Sequence, residues 1–235
     1  IQSLKGQLTT KNAPLFRRYQ YGPVFRFEAK LDPGRFREFW QLDFDTVGTA
    51  DVATDAEACM VLSDALEAIG LERSSYLVKV NNRKILSGFL ESIGVEGAEK
   101  EAAVLRVIDK IDKVGVEGIV AELGAGRKDA SGAVIPGLGL EKGLVSRVAG
   151  YFERFMEDKN REEIIEELAT LCSGNEKFGE GLAELKRINE LLAASGYTEE
   201  RVLFSPSIVR GLGYYTGPVY EVESLLTFTD AKGNT

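Results

Sequence analysis

Arg18-Tyr19-Gln20-Tyr21-Gly22-Pro23-Val24-Phe25-Arg26-Phe27-Glu28, followed by Phe36-Arg37-Glu38-Phe39-Trp40-Gln41-Leu42-Asp43-Phe44-Asp45, governs how the rest of the chain is read. Both runs are rich in aromatics and nearly alternate in polarity, the period of a strand with two unlike faces. Between them, Leu31-Asp32-Pro33-Gly34 holds the Pro and Gly of a turn. The spacing predicts two antiparallel strands joined by a loop over residues 29–35. Gln41 and Asp45 lie four apart and so share a face.

This hairpin also concentrates positive charge. Arg17, Arg18, Arg26, Lys30, Arg35 and Arg37 stand against Glu28 and Asp32, a net +4, while the whole chain is at −8 and the remainder therefore at −12. The planar fork of arginine matches phosphate oxygens, which points to a polyphosphate or nucleic-acid strand. A solvated edge pair whose cations block edge-to-edge pairing would have the same composition. Charge alone leaves both open. A second constellation, Arg210-Gly211-Leu212-Gly213-Tyr214-Tyr215-Thr216-Gly217, sets three glycines around an arginine and a tyrosine pair. That composition lets the chain approach a small ligand closely, or merely turns it into an aromatic-rich strand.

Outward from the hairpin, Thr54-Asp55-Ala56-Glu57 reads as a capping box opening a helix. Ala58, Val61, Leu62, Ala65, Leu66 and Ile69 form its expected apolar face, and Gly70 its stop. Tyr76–Val80 reads as a strand. Apolar residues then recur at helical spacing through 83–93, 98–111, 115–123, 142–156, 161–171 and 179–194. Residues 124–132 read as a mobile loop, Gly137–Gly143 as a linker, and Asn160 as a cap at a helix junction. Strand character returns at Leu203-Phe204 and from Tyr214 to Thr229.

Composition narrows the chemistry. The 235 residues are 44% hydrophobic, enough for a core, and none of their apolar runs approaches the roughly 20 residues of a bilayer helix. With no signal-like start, the cytoplasm is the expected location. The chain has no histidine, which removes Ser-His and Cys-His catalysis and His-ligated metals. Cys59 and Cys172 cannot make a disulfide framework or a zinc site and are expected in the core. The start at Ile1 and the unreturned turn signal near Asp230 lead to the expectation of a larger protein.

The two constellations together carry a resemblance. Residues 18–28 with Gly34–Gln41 and Asp45 resemble motif 2 of class II aminoacyl-tRNA synthetases, in the version of the histidyl-tRNA synthetase family. Arg210–Gly217 resembles the histidine-binding motif of that family and its paralogues, and the helical block, including Asp109–Val114, resembles its insertion domain. The resemblance implies an α+β fold: a class II antiparallel sheet flanked by helices, from residues 1–82 and 196–235, with an all-helical insertion at 83–195.

It also implies roles. Arg26 and Arg210 would be catalytic, at the α-phosphate. Arg26, Glu28, Arg35 and Phe39 would bind ATP, delivered with Mg²⁺, and Arg26, Gln41, Asp45, Arg210, Tyr214 and Tyr215 would bind histidine. No resident metal or organic cofactor is implied. The partners would be histidine, ATP and tRNA(His), with a homodimer for the complete protein and no membrane. The sequence departs from the family pattern at Trp40 and Gly213, neither of which removes a charge from the phosphate site, and at the loop Ala29–Pro33, which by the resemblance faces the tRNA acceptor end, so that no rule for reading that end carries over. The resemblance also admits the paralogue that regulates ATP phosphoribosyltransferase in histidine biosynthesis without aminoacylating. A stand-alone tRNA-binding fragment would need the amino acid pocket to be vestigial.

Overall fold

The computed structural model describes residues 15–28, 34–129, 131–156, 159–171, 174–209 and 215–227. The chain divides into two compact units, 1–54 and 55–235.

The first unit is the expected hairpin. β1 (Phe16–Phe25) pairs antiparallel with β2 (Glu38–Val47), in a register that sets Arg18 opposite Asp45, Gly22 opposite Gln41 and Val24 opposite Phe39. Beyond the strand ends the Arg26 N–H still donates to the Arg37 carbonyl at 2.9 Å. Alternation divides the ribbon into unlike faces. One carries Arg18, Gln20, Arg26, Phe39, Gln41, Asp43 and Asp45. The other carries Tyr19, Tyr21, Phe25, Trp40, Leu42 and Phe44, all exposed, with Tyr21 and Trp40 rings 4.9 Å apart. Residues 29–33 of the connecting loop lie outside the described residues.

The second unit is a mixed sheet under helices. β3 (Tyr76–Asn82) is central; β6 (Val202–Phe204) runs parallel to it and β7 (Pro218–Ser224) antiparallel, in the order β6-β3-β7. Helices α1 (Ala53–Ala68), α2 (Arg83–Ser92), α3 (Ala98–Ile108), α4 (Ile111–Leu123), α5 (Lys142–Arg154), α6 (Arg161–Leu171) and α7 (Glu176–Ala194) follow the expected periodic segments within a few residues. α2 is opened by Asn82, whose side chain accepts from the Lys84 N–H, and α7 by Asn175, which accepts from the Phe178 N–H. The two helices pack closely because Gly88 has no Cβ: one there would stand 2.6 Å from the Phe178 nitrogen. Asn160 and Glu163 exchange side-chain to backbone bonds, both at 2.9 Å, a reciprocal cap for α6. Arg161, 3% exposed, ties α6 to Asn189 of α7 and to the carbonyls of Tyr197 and Val202.

Two local expectations are corrected. α1 begins at Ala53, and Asp51 caps it by accepting the Ala53 N–H at 2.9 Å. Its buried face is Ala56, Cys59 and Ser63, whereas Val61 and Ile69 are exposed. Small residues are buried there because Tyr76 and Tyr220 reach over from the sheet, their hydroxyls donating to the Ser63 carbonyl and to Asp55. The stretch 124–132, expected as a mobile loop, enters a hairpin instead. β4 (Gly126–Lys128) pairs with β5 (Val134–Pro136), and Asp129 Oδ1 accepts from the backbone of Ser131 and Ala133 in the turn. Gly126, at φ +96°, sits where the backbone of Ile135–Gly137 leaves no room for a Cβ. Arg127 and Lys110 then close on Glu122, which is 1% exposed.

Candidate functional site

Period-two alternation gathers the polar side chains of the hairpin, and the loop end of that face forms a cleft of about 360 Å³ lined by Arg26, Glu28, Gly34, Arg35, Phe36 and Phe39. All four residues that the motif resemblance assigns to ATP are therefore brought together. The Arg26 guanidinium lies 5.0 Å from the centre of the Phe39 ring and donates to Gln41 Oε1 at 2.8 Å. Gln41 passes the chain on, its Nε2 donating to Asp43 Oδ1 at 2.6 Å. Arg35 stands 3.9 Å from Glu28 Oε2 with most of its side chain in solvent. Arg37 supports the rim by donating from Nε and Nη2 to the Glu28 carbonyl.

Two guanidinium groups beside a flat ring make a site for an anion that carries an aromatic part. Arg26 is held from two sides, by Gln41 and by Phe39, so its charge is preorganised. Arg35, largely exposed, has only the distant Glu28 carboxylate as an ion partner among the described residues.

At the far end of the same face, Asp45 meets Arg18, whose Nε donates to Oδ2 at 2.6 Å. Gln41 and Asp45 do share a face, as their spacing requires. The sequence reading assigned Arg18 and Arg37 no site role. The cross-strand register, Arg18 opposite Asp45, is the signal that pairs the first of them with a site residue.

In the second unit, Tyr215 and Thr216 line a separate cleft of about 390 Å³ with Arg83, Lys84, Ser87, Glu101 and Lys177. Ser87 donates to Glu101 Oε1 at 2.5 Å, and Arg83 lies 3.7 Å from the same carboxylate. Burial pulls the Arg83 guanidinium below its ordinary range, against the pull of Glu101. Arg210 and Tyr214 lie outside the described residues. Among the described residues there is no group of three Cys, Asp or Glu arranged to hold a metal ion, and no helix long and apolar enough to cross a membrane.

Comparison with known proteins gives the chain a lineage. A family model described as Histidyl-tRNA synthetase matches residues 1–223. The chain is 52% identical over 222 residues to a histidine–tRNA ligase of Ruegeria sp. (strain TM1040), covering 93% of this chain and 43% of the relative. It is 46% identical over 235 residues to a histidine–tRNA ligase of Jannaschia sp. (strain CCS1), covering 99% and 46%. The crystal structure of histidyl-tRNA synthetase from Nostoc sp. PCC 7120 superposes with a TM-score of 0.74 at 26% identity, over 95% of this chain and 47% of that one. A Bacillus halodurans protein titled as an ATP phosphoribosyltransferase regulatory subunit/histidyl-tRNA synthetase shares the fold, with a TM-score of 0.69 at 23% identity, over 94% of this chain and 50% of that one. The chain belongs to the histidyl-tRNA synthetase family. It spans less than half the length of the curated relatives it matches.

Proposed function

We propose that the complete protein is a histidine–tRNA ligase and that this chain supplies much of its catalytic site. The observation that carries the reading is the convergence of Arg26, Glu28, Arg35 and Phe39 on one cleft, with Gln41 bonded to Arg26. In the proposed reaction a carboxylate oxygen of histidine attacks the α-phosphorus of ATP. The bond to the bridging oxygen breaks and pyrophosphate leaves with its Mg²⁺. The 2′- or 3′-hydroxyl of the terminal adenosine of tRNA(His) then displaces AMP from the histidyl-adenylate.

The nucleophiles come from the substrates, so the chain needs no histidine, serine or cysteine of its own. Its work is to position reactants and neutralise charge. Arg26 would hold the α-phosphate and the attacking carboxylate together, and Arg35 would take the outer phosphates. Adenine would rest on the Phe39 ring with Glu28 near its edge. Gln41 and Asp45 would receive the amino acid, Asp45 favouring a protonated imidazole, and Tyr214 and Tyr215 would close on that ring. Arg210 would add the second charge at the α-phosphate.

On this reading residues 1–82 and 196–235 are core and 83–195 an insertion, and the complete protein is a cytoplasmic homodimer. A regulatory paralogue would have no use for an arginine aimed at the outer phosphates of ATP. The test is histidine-dependent exchange of pyrophosphate into ATP by the complete protein, with Arg35→Glu alongside. Exchange by the wild type, with the KM for ATP raised by about 10-fold or more in the variant and the fold unchanged, is expected, because an exposed loop arginine contributes little to stability. Absence of exchange by the wild type would favour the regulatory reading.

A further inference from the structure

The end of β3 holds the chain on both sides of the arginine–tyrosine motif. Asn81 is 1% exposed and donates from Nδ2 to the carbonyls of Pro206 at 3.0 Å and Ile208 at 2.8 Å. An asparagine amide has two N–H donors, and both are spent on these contacts. Its Oδ1 accepts the Asn82 N–H at 2.7 Å. Two residues on, the Arg83 N–H donates to the Gly217 carbonyl at 2.9 Å, and Asn81 and Asn82 stand opposite Val219 and Pro218 in the β3–β7 ladder. The position of Ile208, two residues before Arg210, and that of Gly217, two residues after Tyr215, are therefore both set by three consecutive residues.

The upstream attachment has a backbone cause. The Ser205 N–H donates to the Val80 carbonyl at 2.8 Å, extending the β3–β6 pairing. The next residue is Pro206, which has no N–H to continue the ladder. The Ile208 N–H turns back to the Ser205 carbonyl at 3.0 Å, and the Pro206 and Ile208 carbonyls face a donor on β3. Asn81 supplies both hydrogens from one side chain. An ionised aspartate at the same place would set a negative charge against two carbonyl oxygens, and alanine would leave both without this partner. The next residue is also tied down, since Asn82 caps α2 and donates to Glu184 Oε2 at 2.6 Å.

We infer that Asn81 is a positioning residue for catalysis, acting by fixing the chain at Pro206 and Ile208, just ahead of the arginine–tyrosine motif. The inference rests on the proposed role of Arg210. Small displacements of a charge at a reacting phosphate are costly, on the order of 10²-fold for 1 Å.

The experiment is a cycle on the complete protein: wild type, Asn81→Ala, Arg210→Ala and the double variant, assayed by histidine-dependent pyrophosphate exchange. Arg210→Ala is expected to slow exchange by ~10²–10³-fold. Asn81→Ala should lower kcat by ~10–10²-fold and shift the KM for ATP by less than about 3-fold, since the first-unit cleft is untouched. In the Arg210→Ala background, Asn81→Ala should cost nothing further, and amides of 207–209 and 215–217 should exchange hydrogen faster in Asn81→Ala than in wild type. Asn81→Ser retains one hydroxyl donor; if the alanine variant does not fold, the serine variant carries the same comparison with a smaller loss. Losses that multiply in the double variant, or unchanged kcat in the single one, would overturn the role given to Asn81. Near-normal exchange by Arg210→Ala would instead overturn the reading of Arg210.

Discussion

Arg18 Nε lies 2.6 Å from Asp45 Oδ2, directly across the hairpin ribbon. The pair engages one carboxylate oxygen, and on the proposed function the other would receive the amino acid. Asp45→Asn should weaken histidine binding by about 10-fold, the value of a hydrogen bond to a charged group, and leave ATP binding within about 2-fold. Arg18→Ala should weaken it less, about 3-fold, with stability changed by no more than about 1 kcal/mol because both side chains are over 40% exposed. Titration calorimetry of each ligand separates the two effects; loss of ATP affinity alone would move Asp45 out of the amino acid pocket.

Arg26 does three things that a point charge cannot do at once. It bonds Gln41, lies over Phe39 and presents the rest of its planar fork to the cleft. Arg26→Ala should slow adenylate formation by ~10²–10³-fold, and Arg26→Lys should recover little of it, because an ammonium lacks the fork. A lysine variant with more than about a tenth of wild-type rate would show that charge alone suffices.

Much of this was legible beforehand. Helices α2 to α7 carry their apolar residues every three or four positions, and the hairpin strands alternate over ten residues each, so both periods had room to repeat. β4 and β5 have three residues apiece, too few to show a period, and the glycines in and around them imitate a loop. The buried face of α1 was misread for a different reason. Hydrophobicity marks the larger residues Val61 and Ile69, but the aromatic hydroxyls of β3 and β7 select the smaller Ala56, Cys59 and Ser63. That Arg26, Glu28, Arg35 and Phe39 share a cleft was legible because each sits in the motif. Arg18 and Asn81 were not, since one acts across a ribbon and the other on carbonyls about 125 positions away.

Glu122 offers an acid-stability test. Burial would push its carboxyl up, but hydrogen bonds and charge from Lys110 and Arg127 hold it below the ordinary range. A carboxyl lowered in the folded state stabilises it fully above the unfolded value, about 4.3, and ceases to do so as pH falls through the folded value. Glu122→Ala should cost about 3 kcal/mol at pH 7 by stripping a buried carboxylate from two cations. Denaturant melts should show the gap from wild type closing below about pH 4. A gap that stays constant into acid would mean that packing, not charge, accounts for the loss.

Cys59 should be chemically silent. It is fully buried, and burial together with the nearby Asp55 carboxylate pushes its thiol up to about 12. The native protein at pH 8 should leave Cys59 unmodified by iodoacetamide over the time in which the denatured protein reacts fully, as peptide mass spectrometry can read. Native labelling at a comparable rate would show that α1 opens from the sheet.

The two-faced hairpin constrains how this stretch can vary in length. One residue added between Phe39 and Asp45 would turn every later side chain of β2 over, carrying Asp45 to the aromatic side and Phe44 to the side of Arg26. Two added residues would restore the faces but slide Asp45 past Arg18. Point substitutions here alter one contact each, whereas a single-codon insertion or deletion rewrites the whole polar face. Length variation in this part of the gene should therefore be confined to the connection between the strands.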